Sequence, residues 1–132
     1  MSTYNHVKAG LSNVGSYQAS GIPWVSSSLS VPASGSAPLE INFPLVTKSI
    51  IVKNASTGSV NMRVGFSVNG VVSSSNYFIL SGGESFAADL RVTKICLMSN
   101  DSTVLTGSVI AGLTNIPAAE LPNNWSGSAG VG

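Results

Sequence analysis

The chain has 132 residues, of which 43% are hydrophobic and 8% are charged, with six Lys and Arg against five Asp and Glu. An ordinary soluble domain is about 25% charged, so few charges keep neighbouring copies of this chain apart. A net charge of +1 without a basic run lacks the electrostatic attraction on which nucleic-acid binding depends. The composition therefore favours a single domain that assembles with other subunits, and it argues against nucleic acid as a partner.

The segment of residues 1–10 is polar and has neither the basic stretch nor the apolar core of a secretory signal. No window approaches the roughly 18 consecutive apolar residues of a membrane span. We therefore expect a protein that is made and assembled in the cytoplasm without membrane insertion. The three glycosylation sequons, at Asn54, Asn100 and Asn124, are predicted to be chance matches in a Ser-rich chain. Cys96, the single cysteine, lies in an apolar run and is predicted to be a buried, inert thiol.

Hydrophobic residues recur with a period of two wherever a period can be read, most clearly in residues 60–68. This alternation is typical of strands with one wet face. Clusters of turn-forming residues separate the candidate strands, and no 12-residue window has a helical apolar stripe. The pattern predicts an all-β chain with eight strands, at residues 24–31, 38–43, 48–54, 60–68, 77–80, 85–90, 92–98 and 104–113.

Asn69-Gly70 is a strong turn signal at the end of the fourth predicted strand. We expect a loop that continues through Val71, Val72 and the serines that follow. Gly82-Gly83 is predicted to form a tight turn, since it lacks the lysine and the helix of a phosphate-binding loop. Ala118–Glu120 is predicted to form at most one helical turn.

Eight short antiparallel strands in about 90 residues fit a jelly-roll sandwich. An immunoglobulin-like sandwich is the alternative, but it more often has a central buried Trp beside a pair of cysteines. Here Trp24 opens the first strand and the single cysteine lies near the seventh. The predicted organisation is an N-terminal arm at residues 1–20, a jelly-roll domain at 21–114 and a C-terminal arm at 115–132.

The arms are rich in Ser, Gly and Asn and carry isolated aromatic residues. Either they are ordinary frayed termini, or their aromatic side chains are anchors that a neighbouring subunit buries. Of the two ends, Trp125 is the stronger candidate. The predicted interface residues are Tyr4, Tyr17, Trp24 and Trp125.

Titratable residues are too few and too scattered to indicate a catalytic site. His6 is the sole histidine and lies in the N-terminal arm, so a nucleophile in the fold has no histidine base. Glu84 and Asp89 are candidates for a glycosidase pair of carboxylates. They are five residues apart across a predicted strand, however, and therefore favour opposite faces. One histidine and one cysteine cannot form a zinc tetrad. Residues 100–102 carry oxygen atoms that could bind a cation, but they also fit an ordinary turn, which we favour. We predict no enzyme activity, no cofactor and no metal.

A carbohydrate-binding, lectin-like module is a rival interpretation, because Trp24, Tyr77 and Asn76 are side chains that sugars can contact. The same residues also fit a core. The continuous apolar run Tyr77–Leu80 suits a strand covered on both faces, by the second sheet and by a neighbouring subunit or a folded-back arm.

Four strand segments resemble those of a known family, the small single-jelly-roll penton proteins. These proteins close the fivefold vertices of icosahedral double-stranded DNA viruses of the adenovirus and tectivirus lineage, which includes large algal viruses such as the chlorella viruses. The resemblance covers residues 22–114 and consists of strand patterns, so it transfers no functional residue. The segments are residues 48–54, 77–80, 91–97 and 109–113.

This resemblance implies a virion structural protein that forms a homopentamer at each vertex. Its further partners would be trimers of the major capsid protein and minor capsid proteins. The alternatives within the virion are another minor capsid or cement protein, or a tail-fibre module that would form trimers.

Overall fold

The computed structural model describes residues 21–56 and 60–132. Tyr4, His6 and Tyr17 lie outside the described residues. Eight strands are present within the described ranges, which confirms the predicted all-β class and the existence of each predicted strand. They are β1 Ile22–Val31, β2 Leu39–Asn42, β3 Leu45–Asn54, β4 Met62–Gly65, β5 Tyr77–Leu80, β6 Ser85–Ala88, β7 Lys94–Ser99 and β8 Leu105–Pro117.

The strands form a β-sandwich of two four-stranded antiparallel sheets. The first sheet has the order β1-β8-β3-β6 and the second has the order β2-β7-β4-β5. Successive side chains of a strand point to opposite faces, so alternate residues of both sheets enter the space between them. Ile50 and Val52 of the first sheet and Ile95 and Leu97 of the second are buried in this one core.

The predicted strand at 60–68 is wrong at its C-terminal end, and so is the predicted loop after it. Only Met62–Gly65 is a strand, and Val68–Val72 forms a short helix, α1, which contains the expected turn residues. Ser67 caps this helix, since the Gly70 N–H donates to its hydroxyl oxygen over 2.9 Å. Val71 is buried with Cys96 and Met98 on the outer face of the second sheet. The cap and this burial outweigh the local preference for a hairpin turn.

The other two predicted turns are confirmed. Residues 81–84 form a tight turn in which the Glu84 N–H donates to the Ser81 carbonyl oxygen over 3.0 Å. Gly83 adopts a φ of +84° there, a value that favours glycine. Ala118–Glu120 is a single 3₁₀ turn.

The predicted C-terminal arm at 115–132 requires correction. Strand β8 continues to Pro117 and pairs with Leu45, so the last strand crosses the predicted domain boundary. The chain then folds back along the sandwich, where Leu121 packs with Val46 and Ile116. Burial of Leu121 and of Asn124 holds this segment on the domain.

Candidate functional site

Four outward-facing apolar side chains form a row across the first sheet. Val25 of β1 lies opposite Ile110 of β8, Ile110 lies opposite Ile51 of β3, and Ile51 lies opposite Ala87 of β6. Val25 is 64% exposed, Ile110 47% and Ile51 41%. Neighbouring strands are about 4.8 Å apart, so this row, here called the sheet row, is about 14 Å long.

Runs of consecutive apolar residues produce the sheet row. In β3, Ile50 and Val52 face the core, so the side chain of Ile51 between them must point outward. Ile110 has the same position between Val109 and Ala111 in β8. A sheet with one solvated face usually alternates apolar and polar residues. Apolar residues at consecutive positions of these two strands are the sequence signal of an apolar outer face.

The rows beside the sheet row combine small residues with charged ones, and Ser49 shares a cleft with Lys48, Asp89 and Arg91. On one side, Gly112 pairs with Ser49 and with Pro23. On the other side, Lys53 pairs with Ser108 and Ser85. The same chain already covers part of the Gly112 side, because a Cβ on Gly112 would lie 3.5 Å from Lys48 Cγ and 3.6 Å from Gly21 Cα.

The outer face of the second sheet carries a different apolar surface. Val68 and Val72 of α1 and Ile79 of β5 are between 38% and 46% exposed, and we call these three residues the helix patch. Val68 and Val72 are four positions apart and therefore share one side of the helix. Val71 instead faces the sheet, where it packs with Cys96 and Met98.

Arg63 connects the helix patch to the sheet. Its Nη1 donates to the Val71 carbonyl oxygen over 3.1 Å, and its Nε donates to Oδ1 of Asn100 over 2.8 Å. The guanidinium also lies over the Tyr77 ring, 4.6 Å from the ring centroid. Arg63 lies opposite Ile79 in the β4–β5 register, so a positively charged side chain lies beside both α1 and Ile79.

The two described tryptophans of the predicted interface contact their own chain. Trp24 packs edge-to-face on Phe43, with ring centroids 4.9 Å apart and an interplanar angle of 84°. The Trp125 indole N–H donates to the Arg91 carbonyl oxygen, and its ring packs against both the main core and the cluster around Leu121. Neither tryptophan belongs to the sheet row or to the helix patch. Tyr4 and Tyr17 are outside the described residues.

Two of the three sequon asparagines are buried and hydrogen-bonded. Asn54 Nδ2 donates to the carbonyl oxygens of Val60 and Leu80, over 3.1 and 3.0 Å. Asn124 Nδ2 donates to the carbonyl oxygens of Phe66 and Lys94, over 2.6 and 2.9 Å. The folded chain therefore does not present either amide nitrogen to solvent.

Cys96 is buried, as the sequence predicted. Burial raises the pKa of its thiol to about 11, while Lys94 lowers that pKa and Glu40 raises it further. Lys94 and Glu40 themselves form an ion pair of 3.0 Å. A thiol that stays protonated at neutral pH is a poor nucleophile.

The clefts of the described residues bring few reactive groups together. One of about 300 Å³ lies between Trp125, Phe66 and Val131, with Arg91 as its charged residue. Another, of about 560 Å³, contains Lys48, Asp89 and Arg91. Glu84 is instead part of a turn, where its Oε1 accepts from the Ser81 N–H over 2.7 Å. Across residues 21–56 and 60–132, no three His, Cys, Asp or Glu side chains are grouped as a metal site would need.

The three residues of the sugar-binding interpretation do not form one platform. Trp24 is on the first sheet and packs against the main core, whereas Tyr77 packs beneath Arg63 on the outer face of the second sheet. The Asn76 Oδ1 accepts from the Ser74 hydroxyl over 2.8 Å. A single sugar ring cannot contact surfaces on two different sheets in this way.

Within the part of the chain that the structure describes, no helix has the length and apolar character needed to cross a membrane. Comparison of the sequence with protein-family models and with curated proteins finds no match. Function therefore has to be inferred from the geometry of this chain.

Proposed function

We propose that this chain is a virion structural protein with a single jelly roll. In this proposal it is the penton protein, which forms homopentamers at the fivefold vertices of an icosahedral capsid. The observation that carries the proposal is the sheet row, an apolar outer face on a sandwich with very few charges. The strand pairing and the resemblance of the strand segments give it further support.

The strand pairs are nested in the way that a jelly roll requires. β1 pairs with β8, β2 with β7, β3 with β6 and β4 with β5. These are the pairs of one long antiparallel ribbon whose first half runs out and whose second half returns. When such a ribbon curls into two sheets, its strands gain the further pairs β3–β8 and β4–β7, which are both present. This nesting favours an eight-stranded jelly roll over a seven-stranded immunoglobulin-like sandwich.

The sheet row supports assembly on energetic grounds. Removing apolar surface from water contributes about 25 cal/mol per Å², and a specific interface buries about 800 Å² on each partner. The three large side chains of the row offer such a contact an apolar centre. With 8% of all residues charged, the surrounding surface adds little electrostatic repulsion to the approach of a second copy.

The proposal extends to the partners that the resemblance implies. Around each vertex, the pentamer would contact trimers of the major capsid protein and minor capsid proteins, and the protein would be found in virions after assembly in the cytoplasm. Contacts with these larger proteins need surface outside the ring interface.

Native mass spectrometry of the full chain at several concentrations tests this proposal. We expect a pentamer whose fraction grows with concentration. The Val25→Thr/Ile110→Thr variant removes apolar surface from the sheet row and should reduce the pentamer strongly. Val104→Thr is the matched control, because Val104 is 58% exposed but is not part of the row.

Three results would count against the proposal. A trimer would favour the fibre alternative. A monomer at every concentration would remove the support that the sheet row gives. An equal loss of pentamer in the Val104→Thr control would mean that the row has no particular role.

A further inference from the structure

We infer that residues 1–20 pack on the outer face of the first sheet of their own chain and cover the sheet row while the subunit is unassembled. The occupant of this apolar face is therefore a segment of the same molecule and not a second copy. The inference goes beyond the proposed function, since it concerns the isolated subunit. In the proposed pentamer, a neighbouring copy would have to displace the segment before it could contact the row.

Residues 1–20 join the domain above the outer face of the first sheet. Ala111 and Leu113 are buried in the core, so a Cβ on Gly112 between them would point outward. That Cβ would lie 3.6 Å from the Gly21 Cα. A Cβ on Gly21 would in turn lie 3.4 Å from Cδ of Lys48, a residue of β3. Gly21 thus lies above β8 and within reach of β3, and the preceding chain starts over the sheet.

The sheet row lies close to that starting point. Ile110 is two residues from Gly112 in β8, so the two positions are about 7 Å apart and face the same way. Ile51 lies opposite Ile110 on the neighbouring strand. Each residue advances the chain by at most about 3.5 Å, so Tyr17, four residues before Gly21, can reach about 14 Å and contact either isoleucine. Residues 1–20 can span about 70 Å when extended, several times the length of the row.

The composition of the segment fits the sheet row better than the cleft that Lys48 also lines. That cleft holds the cations Lys48 and Arg91 beside Asp89. Residues 1–20 contain no Asp or Glu and one lysine, Lys8, so the segment offers no carboxylate to those cations. It can instead remove the apolar row from water. The larger apolar side chains of the segment are Met1, Tyr4, Val7, Leu11, Val14 and Tyr17.

Covalent attachment favours this segment over a second copy at low protein concentration. A short flexible tether gives an effective concentration in the millimolar range, which exceeds that of a second copy in a micromolar solution. The attachment also places Gly21 in the path of a second copy, because Gly21 stands above Gly112 beside the row. The segment therefore occupies the row first, and assembly through the row has to compete with it.

Thiol labelling of the full-length chain tests the inference. Ile110→Cys places a thiol in the sheet row. Native Cys96 is buried and the pKa of its thiol is raised to about 11, so it reacts slowly. The rate of labelling with iodoacetamide is compared with and without the further changes Val14→Ser and Tyr17→Ser. These changes remove two apolar side chains of the segment near Gly21.

Two controls isolate the effect of the segment on the row. Ser12→Ala with Ser16→Ala changes the same part of the segment without removing an apolar side chain. Val104→Cys gives a thiol outside the row, since Val104 precedes β8 and is 58% exposed. Ile51→Cys is a second position in the row, in case Ile110→Cys does not fold by circular dichroism.

We expect Val14→Ser with Tyr17→Ser to raise the labelling rate of Ile110→Cys roughly tenfold, because a covered thiol reacts only when its cover opens. The Ser12→Ala and Ser16→Ala changes should leave that rate unchanged. Val104→Cys should react at one rate in every background. Dilution should not alter the protection of Ile110→Cys, because the contact is intramolecular.

Three results would overturn the inference. The first is an equal labelling rate of Ile110→Cys in all backgrounds. The second is protection that falls on dilution together with the oligomer seen by native mass spectrometry, which would identify a second copy as the occupant. The third is faster labelling of Asp89→Cys, but not of Ile110→Cys, after the Val14→Ser and Tyr17→Ser changes, which would place the segment in the cleft.

The same experiment separates this inference from the proposed function. A wild-type chain that stays monomeric at every concentration, with Ile110→Cys still protected by the segment, would contradict the homopentamer and support the inference. A pentamer whose monomer leaves Ile110→Cys unprotected would support the homopentamer and contradict the inference.

Discussion

The side-chain amide of Asn124 donates to the carbonyl oxygen of Phe66 over 2.6 Å, across 58 residues of sequence. Its Oδ1 accepts from the backbone N–H groups of Thr93 and Lys94. The β4–β7 ladder ends at the pair of Gly65 and Cys96, so Asn124 supplies hydrogen bonds where the two central strands of the second sheet separate. A side chain from the C-terminal segment thus completes the end of that sheet.

Replacing Asn124 with Ala should destabilise the domain by about 3 kcal/mol, because buried backbone donors and acceptors would lose their partners. Urea unfolding followed by circular dichroism measures this loss. Asn123→Ala is the matched control, since Asn123 is exposed, and it should change stability by less than about 0.5 kcal/mol. Equal free energies of unfolding for the two variants would mean that the Asn124 hydrogen bonds make no net contribution to stability.

Replacing Gly70 with Ala should destabilise the fold, although Ala stabilises an ordinary helix position by about 1 kcal/mol relative to Gly. A Cβ at Gly70 would lie 2.3 Å from the Val131 carbonyl oxygen and 2.9 Å from the Ser67 hydroxyl. The C-terminal residues must then move away from α1. Thermal unfolding and limited proteolysis of the C-terminal segment both report this change.

Asn69→Ala is the control for that prediction, because Asn69 is an exposed residue of the same helix. It gains helix propensity without a clash and should be neutral or slightly stabilising. If Gly70→Ala were also stabilising, the close contact between α1 and the C-terminal segment would be refuted.

Stability should fall at alkaline pH partly because of Cys96. Burial raises the pKa of its thiol from 9.0 to about 11 in the folded state. As the pH rises, the unfolded chain loses this proton first, so the contribution of Cys96 to stability is full below pH 9 and is lost towards pH 11. Free energies of unfolding at pH 8 and pH 10.5 should therefore differ more for the wild type than for Cys96→Ala. Parallel pH profiles would show that the thiol has an ordinary pKa in the fold.

The sequence predicts the sandwich well because alternation and turn residues are local signals. The sequence predicts each of the eight strands in the described residues. It also predicts the turn at Gly82-Gly83, where Gly83 has a positive φ. The helix Val68–Val72 was missed because its stability comes from distant partners. Val71 is buried by Cys96 and Met98, and no window around Asn69 contains that information.

The candidate surfaces were harder to predict for the same reason. The apolar character of Ile51 and Ile110 is visible in the sequence, but their alignment in one row depends on the register of β3 and β8. The C-terminal segment was misjudged because its composition is typical of an arm. Its attachment depends on single hydrogen bonds between distant residues, such as those of Leu121 with Thr93 and of Asn124 with Lys94, which span 28 and 30 residues.

Trp125 should stabilise its own domain more than it stabilises contacts between subunits. Its ring packs on the core and its indole N–H donates to the Arg91 carbonyl oxygen. Trp125→Phe keeps most of the packing and should cost about 1 kcal/mol for the lost hydrogen bond, while Trp125→Ala also leaves a void and should cost about 3 kcal/mol. Urea unfolding measures both costs, and native mass spectrometry at matched folded concentration measures assembly. A stable Trp125→Ala domain that no longer assembles would instead identify Trp125 as an anchor buried by the neighbouring subunit.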